Sequence, residues 1–236
     1  SVTKLEPLAH DVMLLELDLE SGAVLDYEAG QYLNILLPDG ARRSYSFTER
    51  SGTTQRIALQ IRLMPGGRFT PEVFSTMKLG DKLKLEGPLG EFVLREPSDK
   101  PLIFVAGATG FAPVKSLLEE AFHQGITRPL YFYWGVRKRR DLYMQELVQQ
   151  WQAAHPNFHF VPVLSEATDE DAWSGRTGFV HQAILADFPS LAGCAVYACG
   201  SVKMVEVAKP AFIAQGLSED FCFSDAFTPQ SSPQAV

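Results

Sequence analysis

The hydrophobic pattern of this chain changes near residue 97. Before that point, short runs alternate apolar and polar residues between turn residues, a pattern typical of antiparallel strands. After it, continuous apolar runs alternate with stretches of helical spacing, which is typical of a parallel sheet whose strands are buried on both faces. We therefore predict an antiparallel Greek-key β-barrel over residues 1–97 and an α/β parallel-sheet domain over residues 98–236. The polar, proline-flanked segment 95–101 is the predicted linker.

Individual elements can be placed within each half. In the first half, one short helix is predicted at 71–77, and strands are predicted at 2–8, 11–19, 30–38, 42–48, 55–63 and 81–87. In the second half, helices are predicted at 111–125, 179–188 and 202–215, and strands at 101–107, 130–135, 158–164, 195–200 and 221–225. A further helix, after the strand at 130–135, is predicted to be capped by Asp141.

Composition excludes several classes of protein. A net charge of −7 argues against a nucleic-acid partner, which usually meets a basic surface. No run of 18 apolar residues and no signal-peptide pattern is present, so we expect a cytoplasmic protein without a membrane partner, and a monomer by default. The three cysteines have no paired spacing and are too few for a 2Fe–2S cluster, and no Cys/His cluster predicts a metal site.

The segment RRSYSF at 42–47 combines a cation, an aromatic ring and hydroxyl groups on one predicted strand. Side chains alternate along a strand, so Arg43 and Tyr45 share one face while Ser44 and Ser46 share the other. A ligand with an anionic end and a flat heteroaromatic end would suit these groups. An ordinary half-buried strand would show the same pattern, so this segment alone leaves both interpretations open.

Three glycine-containing segments follow predicted parallel strands, at 106–113, 134–137 and 198–201. In open parallel sheets, ligands bind beyond the carboxyl ends of the strands. Gly107 and Gly110 would let the backbone approach a pyrophosphate, and the next helix would present free N–H groups. Because the spacing differs from GxGxxG, a different nucleotide-binding family is indicated.

Five motifs occur in the order found in one family: RSYS (43–46), GGRFT (66–70), GATGFAP (107–113), YACG (197–200) and FSDAF (223–227). Together they resemble the ferredoxin–NADP reductase superfamily, and most closely the flavin reductases and the reductase components of bacterial oxygenases. The resemblance covers nearly the whole chain.

The resemblance implies an NAD(P)H-dependent flavoprotein reductase. It would transfer a hydride from NADH to bound FAD and pass electrons to a ferredoxin, a 2Fe–2S domain or an oxygenase component. NADPH is the alternative donor. Two other hypotheses stay open: a flavin reductase that releases reduced flavin, and a non-catalytic nucleotide-binding subunit that keeps the fold.

The same resemblance assigns residues to the flavin. It places Arg43 on a flavin phosphate, Tyr45 on the isoalloxazine ring and Ser46 near N5. The segment GGRFT favours retained FAD over FMN, although a plain glycine-rich turn would explain that segment alone. The remaining predicted FAD residues are Ser44, Gln60, Ile61, Arg62, Gly67, Arg68, Phe69, Thr70, Thr109 and Phe227.

The predicted catalytic residues are Ser46, Cys199 and Asp225. Cys199 resembles a cysteine near nicotinamide C4, with a positioning and electrostatic role, although free cysteine is often only a small buried hydrophobe. Phe227 would cover the flavin ring until the nicotinamide displaces it. The predicted NADH residues are Gly107, Thr109, Gly110, Pro113, Gly135, Val136, Arg137, Ser165, Glu166, Cys199, Gly200, Ser201 and Met204.

The choice between NADH and NADPH depends on two charged segments. Residues 137–140 are all basic, which suits a 2′-phosphate. However, Glu166 stands where NADPH-using relatives have an arginine, and a carboxylate repels a phosphate and accepts from a ribose 2′-OH. We therefore predict a preference for NADH. The basic segment is left as a solvated face or a docking surface for an acidic partner.

Overall fold

The computed structural model describes residues 1–20, 22–95 and 99–228, and every element below belongs to these ranges. The predicted domain boundary at 97/98 lies outside the described residues, as does part of the predicted linker.

The first half contains one short helix, α1 (Thr70–Ser75), and the strands β1 (Val2–Ala9), β2 (Val12–Asp18), β3 (Leu25–Tyr27), β4 (Tyr32–Leu36), β5 (Arg42–Ser46), β6 (Gly52–Thr54), β7 (Arg56–Arg62) and β8 (Lys84–Leu89). The second half contains β9 (Leu102–Gly107), α2 (Phe111–His123), β10 (Leu130–Val136), α3 (Gln145–Ala154), β11 (Phe158–Leu164), β12 (Arg176–Thr177), α4 (Val180–Asp187), β13 (Ala195–Ser201), α5 (Val202–Ala214) and β14 (Cys222–Phe227).

The strands of the first half enclose one apolar core. They pair antiparallel in the orders β1-β2-β7, β3-β6 and β5-β4-β8. Alternate residues point inward, so Leu15 and Leu17 of β2 and Leu59 and Ile61 of β7 are buried in the same cluster. The predicted antiparallel barrel domain is therefore confirmed.

The second half is built on a parallel sheet with the strand order β12-β11-β10-β9-β13-β14. Phe104 of β9 belongs to the apolar cluster on one face, and the next residue, Val105, belongs to the cluster on the other. Burial on both faces explains why β9 reads as a continuous apolar run. The predicted α/β domain is confirmed, and the strand order reverses at β9, between β10 and β13, where a ligand crevice is expected.

Local details differ from the sequence-based expectation. The strands β3, β6 and β12 were not predicted, because each is only two or three residues long and shows no alternation. The prediction that Asp141 caps a helix was wrong. Its carboxylate accepts from the Lys138 backbone N–H at 2.9 Å and closes a 3₁₀ turn over Arg139–Asp141. Helix α3 begins later, after Met144, without a side-chain cap.

Helix α2 binds the barrel through buried polar groups. The Ser116 hydroxyl accepts from the Gly30 backbone N–H at 3.2 Å and donates to the Glu49 carbonyl. The Lys115 ammonium donates to the Thr48 carbonyl at 3.0 Å. Ser116 is fully buried and Lys115 is 9% exposed, so water does not replace these partners. The helix therefore holds the two domains together at defined atoms.

We expect Ser116→Ala to lower the free energy of unfolding by about 1–3 kcal/mol, because the buried groups of Gly30 and Glu49 lose their partner. The control is Ser75→Ala, because the exposed Ser75 hydroxyl also donates to a carbonyl, that of Pro71. Removal of that hydroxyl should cost less than about 0.5 kcal/mol. Chemical denaturation of the two variants and of the parent protein measures both losses. Equal losses in the two variants would contradict the expectation.

Candidate active site

A cleft of about 960 Å³ lies between the barrel and the carboxyl edge of the parallel sheet. A cleft between domains, at the point where the strand order reverses, is a common position for a ligand site. The predicted site residues that line it come from both walls. They are Arg43, Ser44, Tyr45, Ser46, Gln60, Arg62, Gly67, Arg68, Phe69, Thr70, Gly107, Thr109, Gly135, Val136, Arg137, Ser165, Ser201, Met204, Asp225 and Phe227.

The other predicted site residues do not line this cleft. They are Ile61, Gly110, Pro113, Glu166, Cys199 and Gly200. Ile61 and Cys199 are fully buried, so neither side chain reaches the cleft surface. Glu166 is exposed beside the cleft and contacts Arg137. The proposed roles of these residues remain predictions.

The barrel wall presents an aromatic ring with hydroxyl groups beside it. Tyr45 lies 5.9 Å from Phe69, measured between ring centroids, and burial raises the pKa of its phenol above the ordinary value. The Ser46 side chain is buried at the end of β5. On the face of β5 opposite to Tyr45, the Ser44 hydroxyl donates to Asn34 Oδ1 of β4 at 2.7 Å. This wall can pack against a flat ring.

Arginine side chains also belong to the barrel wall. Arg62 pairs with Asp11 at 2.8 Å, and Arg68 pairs with Asp39. Arg43 donates to the carbonyl of its neighbour Arg42 at 2.8 Å. Guanidinium groups bind phosphate oxygens in bidentate geometry, so the donor set of this wall suits a pyrophosphate.

Two glycines lie where the loop after β9 packs closely on its neighbours, and glycine is required at Gly110, where a Cβ would meet backbone atoms. A Cβ on Gly107 would lie 2.5 Å from the Met204 sulfur, and a Cβ on Gly110 would lie 2.2 Å from the Cys199 carbonyl oxygen. The two residues therefore have different positions. Gly107 lines the cleft, whereas Gly110 packs the turn onto β13 and does not line the cleft.

Ala108, the residue directly after Gly107, adopts a strained backbone conformation. Ala108 has φ +48°, in the left-handed region that non-glycine residues rarely occupy. The Trp134 indole N–H donates to the Ala108 carbonyl at 3.0 Å, and the Trp134 ring stacks on Phe111 at 4.2 Å. These contacts hold the turn at the cleft in place, as is common at ligand sites.

Burial favours the uncharged forms of two groups on the sheet wall. It raises the pKa of the Cys199 thiol well above its ordinary value, and the nearby Asp225 carboxylate adds to this effect. Burial also raises the pKa of Asp225, which lines the cleft opposite Cys199 in the pairing of β13 with β14. A neutral, buried thiol is a poor nucleophile. The environment of Cys199 therefore suits a positioning role.

The basic segment at 137–140 is partly compensated by acidic neighbours. Arg137 lies 3.6 Å from Glu166, and the Arg140 guanidinium lies 4.0 Å from the Asp141 carboxylate. The Arg139 backbone N–H donates to Asp171 Oδ1 at 3.0 Å. The segment is therefore less basic than its sequence suggests.

Sequence reasoning missed residues that the fold brings to the cleft, among them Asp11, Tyr143 and Phe179. The Tyr143 hydroxyl donates to Gln60 Oε1 at 2.6 Å, across a sequence separation of 83 residues. Phe179 follows Gly178, whose φ is +100°, and is 61% exposed. Gly178 was the one local sequence signal for these residues, because the contacts that bring them to the cleft join segments that are distant in the sequence.

Within the described ranges, no helix combines the length and the apolar character needed to cross a bilayer. No group of three or more His, Cys, Asp or Glu side chains in these ranges is arranged to hold a metal ion.

Comparisons with known proteins match both halves of the chain. A family model described as an oxidoreductase FAD-binding domain matches residues 1–94, and one described as an oxidoreductase NAD-binding domain matches residues 104–210. The chain therefore has an FAD-binding and an NAD-binding domain.

The relatives are reductases. The chain is 42% identical over 225 residues to a CDP-6-deoxy-L-threo-D-glycero-4-hexulose-3-dehydrase reductase from Yersinia pestis, a match that covers 95% of this chain and 67% of that protein. It is 35% identical to the reductase component of phenol 2-monooxygenase from Pseudomonas sp., a match that covers 86% of this chain and 58% of that protein.

Among solved structures, a cytochrome P-450 reductase from Amycolatopsis superposes with a TM-score of 0.90 at 33% identity, over 97% of this chain and 69% of that one. The chain thus spans roughly two thirds or less of the length of the curated relatives it matches. The two matched domains, these relatives and the predicted motifs agree, and the chain belongs to the ferredoxin–NADP reductase superfamily of FAD- and NAD-binding oxidoreductases.

Proposed function

We propose that this protein is an NADH-dependent reductase that retains FAD and passes electrons to an iron–sulfur protein or domain, or to an oxygenase component. One observation supports this most strongly. A single cleft is lined both by Tyr45 and Ser46 of the barrel and by Gly107 and Asp225 of the parallel sheet. A flavin on the first wall and a nicotinamide on the second would share that cleft.

The residues of the barrel wall fit FAD. The Tyr45 ring offers a surface for the flavin ring, and Arg43, Arg62 and Arg68 offer guanidinium groups for its pyrophosphate. The exposed Gly67 lines the cleft, where its backbone can approach a phosphate closely. When bound, FAD supplies the chemistry, since it accepts a hydride and can release electrons one at a time.

The side chains of the protein itself would orient the flavin and the nicotinamide and would exclude water from the flavin ring. The Ser46 hydroxyl would hydrogen-bond at the reacting edge of the flavin. Asp225, whose pKa is raised by burial, would act as a nearby hydrogen-bonding group. Phe227 lines the cleft and would shield the ring from water until a nicotinamide takes its place. Cys199, buried behind the cleft, would help to shape the floor of that pocket.

The preference for NADH would come from Glu166. Backbone hydrogen bonds tie Ser165 to Val136 and Glu166 to Arg137, each at 2.9 Å. They bring the Glu166 carboxylate within 3.6 Å of the Arg137 guanidinium. A 2′-phosphate would have to compete with this carboxylate for the arginine, whereas a ribose hydroxyl could donate to it.

The partner is inferred from the relatives. One is a reductase for a hexulose dehydrase, and another is the reductase component of a monooxygenase. We propose that this chain likewise delivers electrons to a separate component, through a ferredoxin or a 2Fe–2S domain.

The first test is the absorption spectrum of the purified protein before and after anaerobic NADH or NADPH. We expect a flavin spectrum that survives gel filtration and is bleached faster by NADH. Loss of flavin on the column, with rapid reduction of added FMN, would instead support a flavin reductase that releases its product. Bound flavin that neither nucleotide bleaches would support a non-catalytic subunit, and bleaching by NADPH alone would contradict the predicted preference for NADH.

We expect Glu166→Gln to raise kcat/KM for NADPH about tenfold, because a phosphate would no longer meet a carboxylate beside Arg137. Steady-state kinetics with both nucleotides measure the change. Glu170→Gln is the control, since Glu170 is an exposed acid of the same loop, whereas Glu166 is the carboxylate that lies beside Arg137. An equal gain in both variants would assign the effect to overall charge.

We expect Ser46→Ala to slow flavin reduction by NADH about tenfold, the size of one lost hydrogen bond, while FAD stays bound. Anaerobic stopped-flow absorbance gives the limiting rate. Ser224→Ala, on the exposed face of β14, should leave that rate unchanged. An unaltered rate in Ser46→Ala would remove this serine from the proposed site.

A further inference from the structure

Tyr143 connects the two walls of the cleft. It lies in the loop after β10, and its hydroxyl donates to Gln60 Oε1 of β7 at 2.6 Å. Both residues line the cleft, and Gln60 is only 6% exposed. The Gln60 amide nitrogen faces the Met144 sulfur at 3.5 Å, and a thioether is a weak acceptor. The tyrosine hydroxyl is therefore the strong partner that orients this buried amide.

The ring of Tyr143 is itself held in place. It meets Trp134 edge-on at 5.2 Å and 88°, and Phe111 at 5.9 Å and 74°. Trp134 is fully buried and donates to the carbonyl of the strained Ala108. The hydroxyl thus extends from a rigid aromatic cluster that also supports the turn after β9. Burial raises the pKa of the Tyr143 hydroxyl, so the group remains a hydrogen-bond donor at neutral pH.

A second contact joins the same loop to the barrel. The His10 imidazole lies 3.8 Å from the Asp11 carboxylate of the barrel and 3.8 Å from the Asp141 carboxylate of the loop. Asp11 is paired in turn with Arg62 of β7 at 2.8 Å. The C-terminal end of the loop of residues 137–144 therefore lies close to the barrel near β7, while Arg137 at its start lines the cleft.

We propose that Tyr143 is a positioning residue, whose hydrogen bond to Gln60 sets the spacing between β7 and the loop of residues 137–144. The inference rests on the proposed function, because this spacing matters for catalysis only if a flavin and a nicotinamide occupy the two walls. A displacement of about 1 Å at a reacting pair can slow a reaction about a hundredfold, so one such contact is enough to affect the rate.

The first experiment measures the loop rather than the reaction. We expect Tyr143→Phe to speed amide hydrogen exchange in residues 137–144 about tenfold, in apoprotein and FAD-loaded protein alike. Phenylalanine keeps the ring that packs on Trp134, so exchange in β9 and β10 should not change. Tyr131→Phe is the control, because its ring stacks on His159 at the opposite face of the sheet. Unchanged exchange in the loop would overturn the inference.

The second experiment uses anaerobic stopped-flow reduction by NADH. We expect Tyr143→Phe to lower the limiting rate of flavin reduction about tenfold, while the Kd for FAD changes by less than about twofold. In a Gln60→Met background, Tyr143→Phe should cause little further loss, since both changes remove the same contact. Additive losses, or an unchanged limiting rate, would overturn the proposed role.

The two experiments separate failure of this inference from failure of the proposed function. If NADH does not reduce the flavin of the parent protein, the reductase assignment fails, and the catalytic part of this inference fails with it. The exchange comparison in the apoprotein still decides whether Tyr143 fixes the loop to β7. If the parent is reduced but the Tyr143→Phe protein behaves like the Tyr131→Phe protein, only the positioning role is lost.

Discussion

The cleft depends on the polar contact between helix α2 and the barrel. Beyond Lys115 and Ser116, the Glu120 carboxylate accepts from the Ser51 backbone N–H at 3.0 Å, and both Lys115 and Glu120 are less than 10% exposed. Buried charged groups are costly unless they are paired, so only one placement of the helix satisfies them together. Because α2 starts at the turn after β9, this contact also fixes the distance from Gly107 to the barrel.

The two walls of the cleft carry different charged groups. The barrel wall contributes Arg43, Arg62 and Arg68, with Asp11 paired to Arg62, whereas the sheet wall contributes Arg137 and Asp225, and burial raises the pKa of Asp225. Cations suit the phosphates of a dinucleotide. The division follows from the fold, since the three arginines of the barrel wall belong to the barrel domain, whereas Asp225 lies on β14 at the edge of the parallel sheet.

Pairing between neighbouring loops makes the surroundings of the basic segment at 137–140 less positive than its sequence suggests. In the sequence, residues 137–140 are an uninterrupted run of cations. In the structure, acidic residues from the loop after β11 lie beside that run, with Glu166 next to the Arg137 guanidinium and Asp171 accepting from the backbone N–H of Arg139. Exposed pairs of this kind contribute little stability, but they alter the local potential that a phosphate would experience. In the proposed function, this local potential would act on the choice of nucleotide.

The sequence alone determined the two-domain fold, the long elements and most of the residues that line the cleft. Alternation of period two and continuous apolar runs identify β2, β7 and β9 because burial acts on each residue locally. The sequence could not place Tyr143 at the cleft or predict the contact between Glu120 and Ser51. It also could not show that Asp141 closes a turn instead of capping α3. These depend on side chains that meet across long sequence separations or on the exact path of a loop, and only tertiary packing sets those distances.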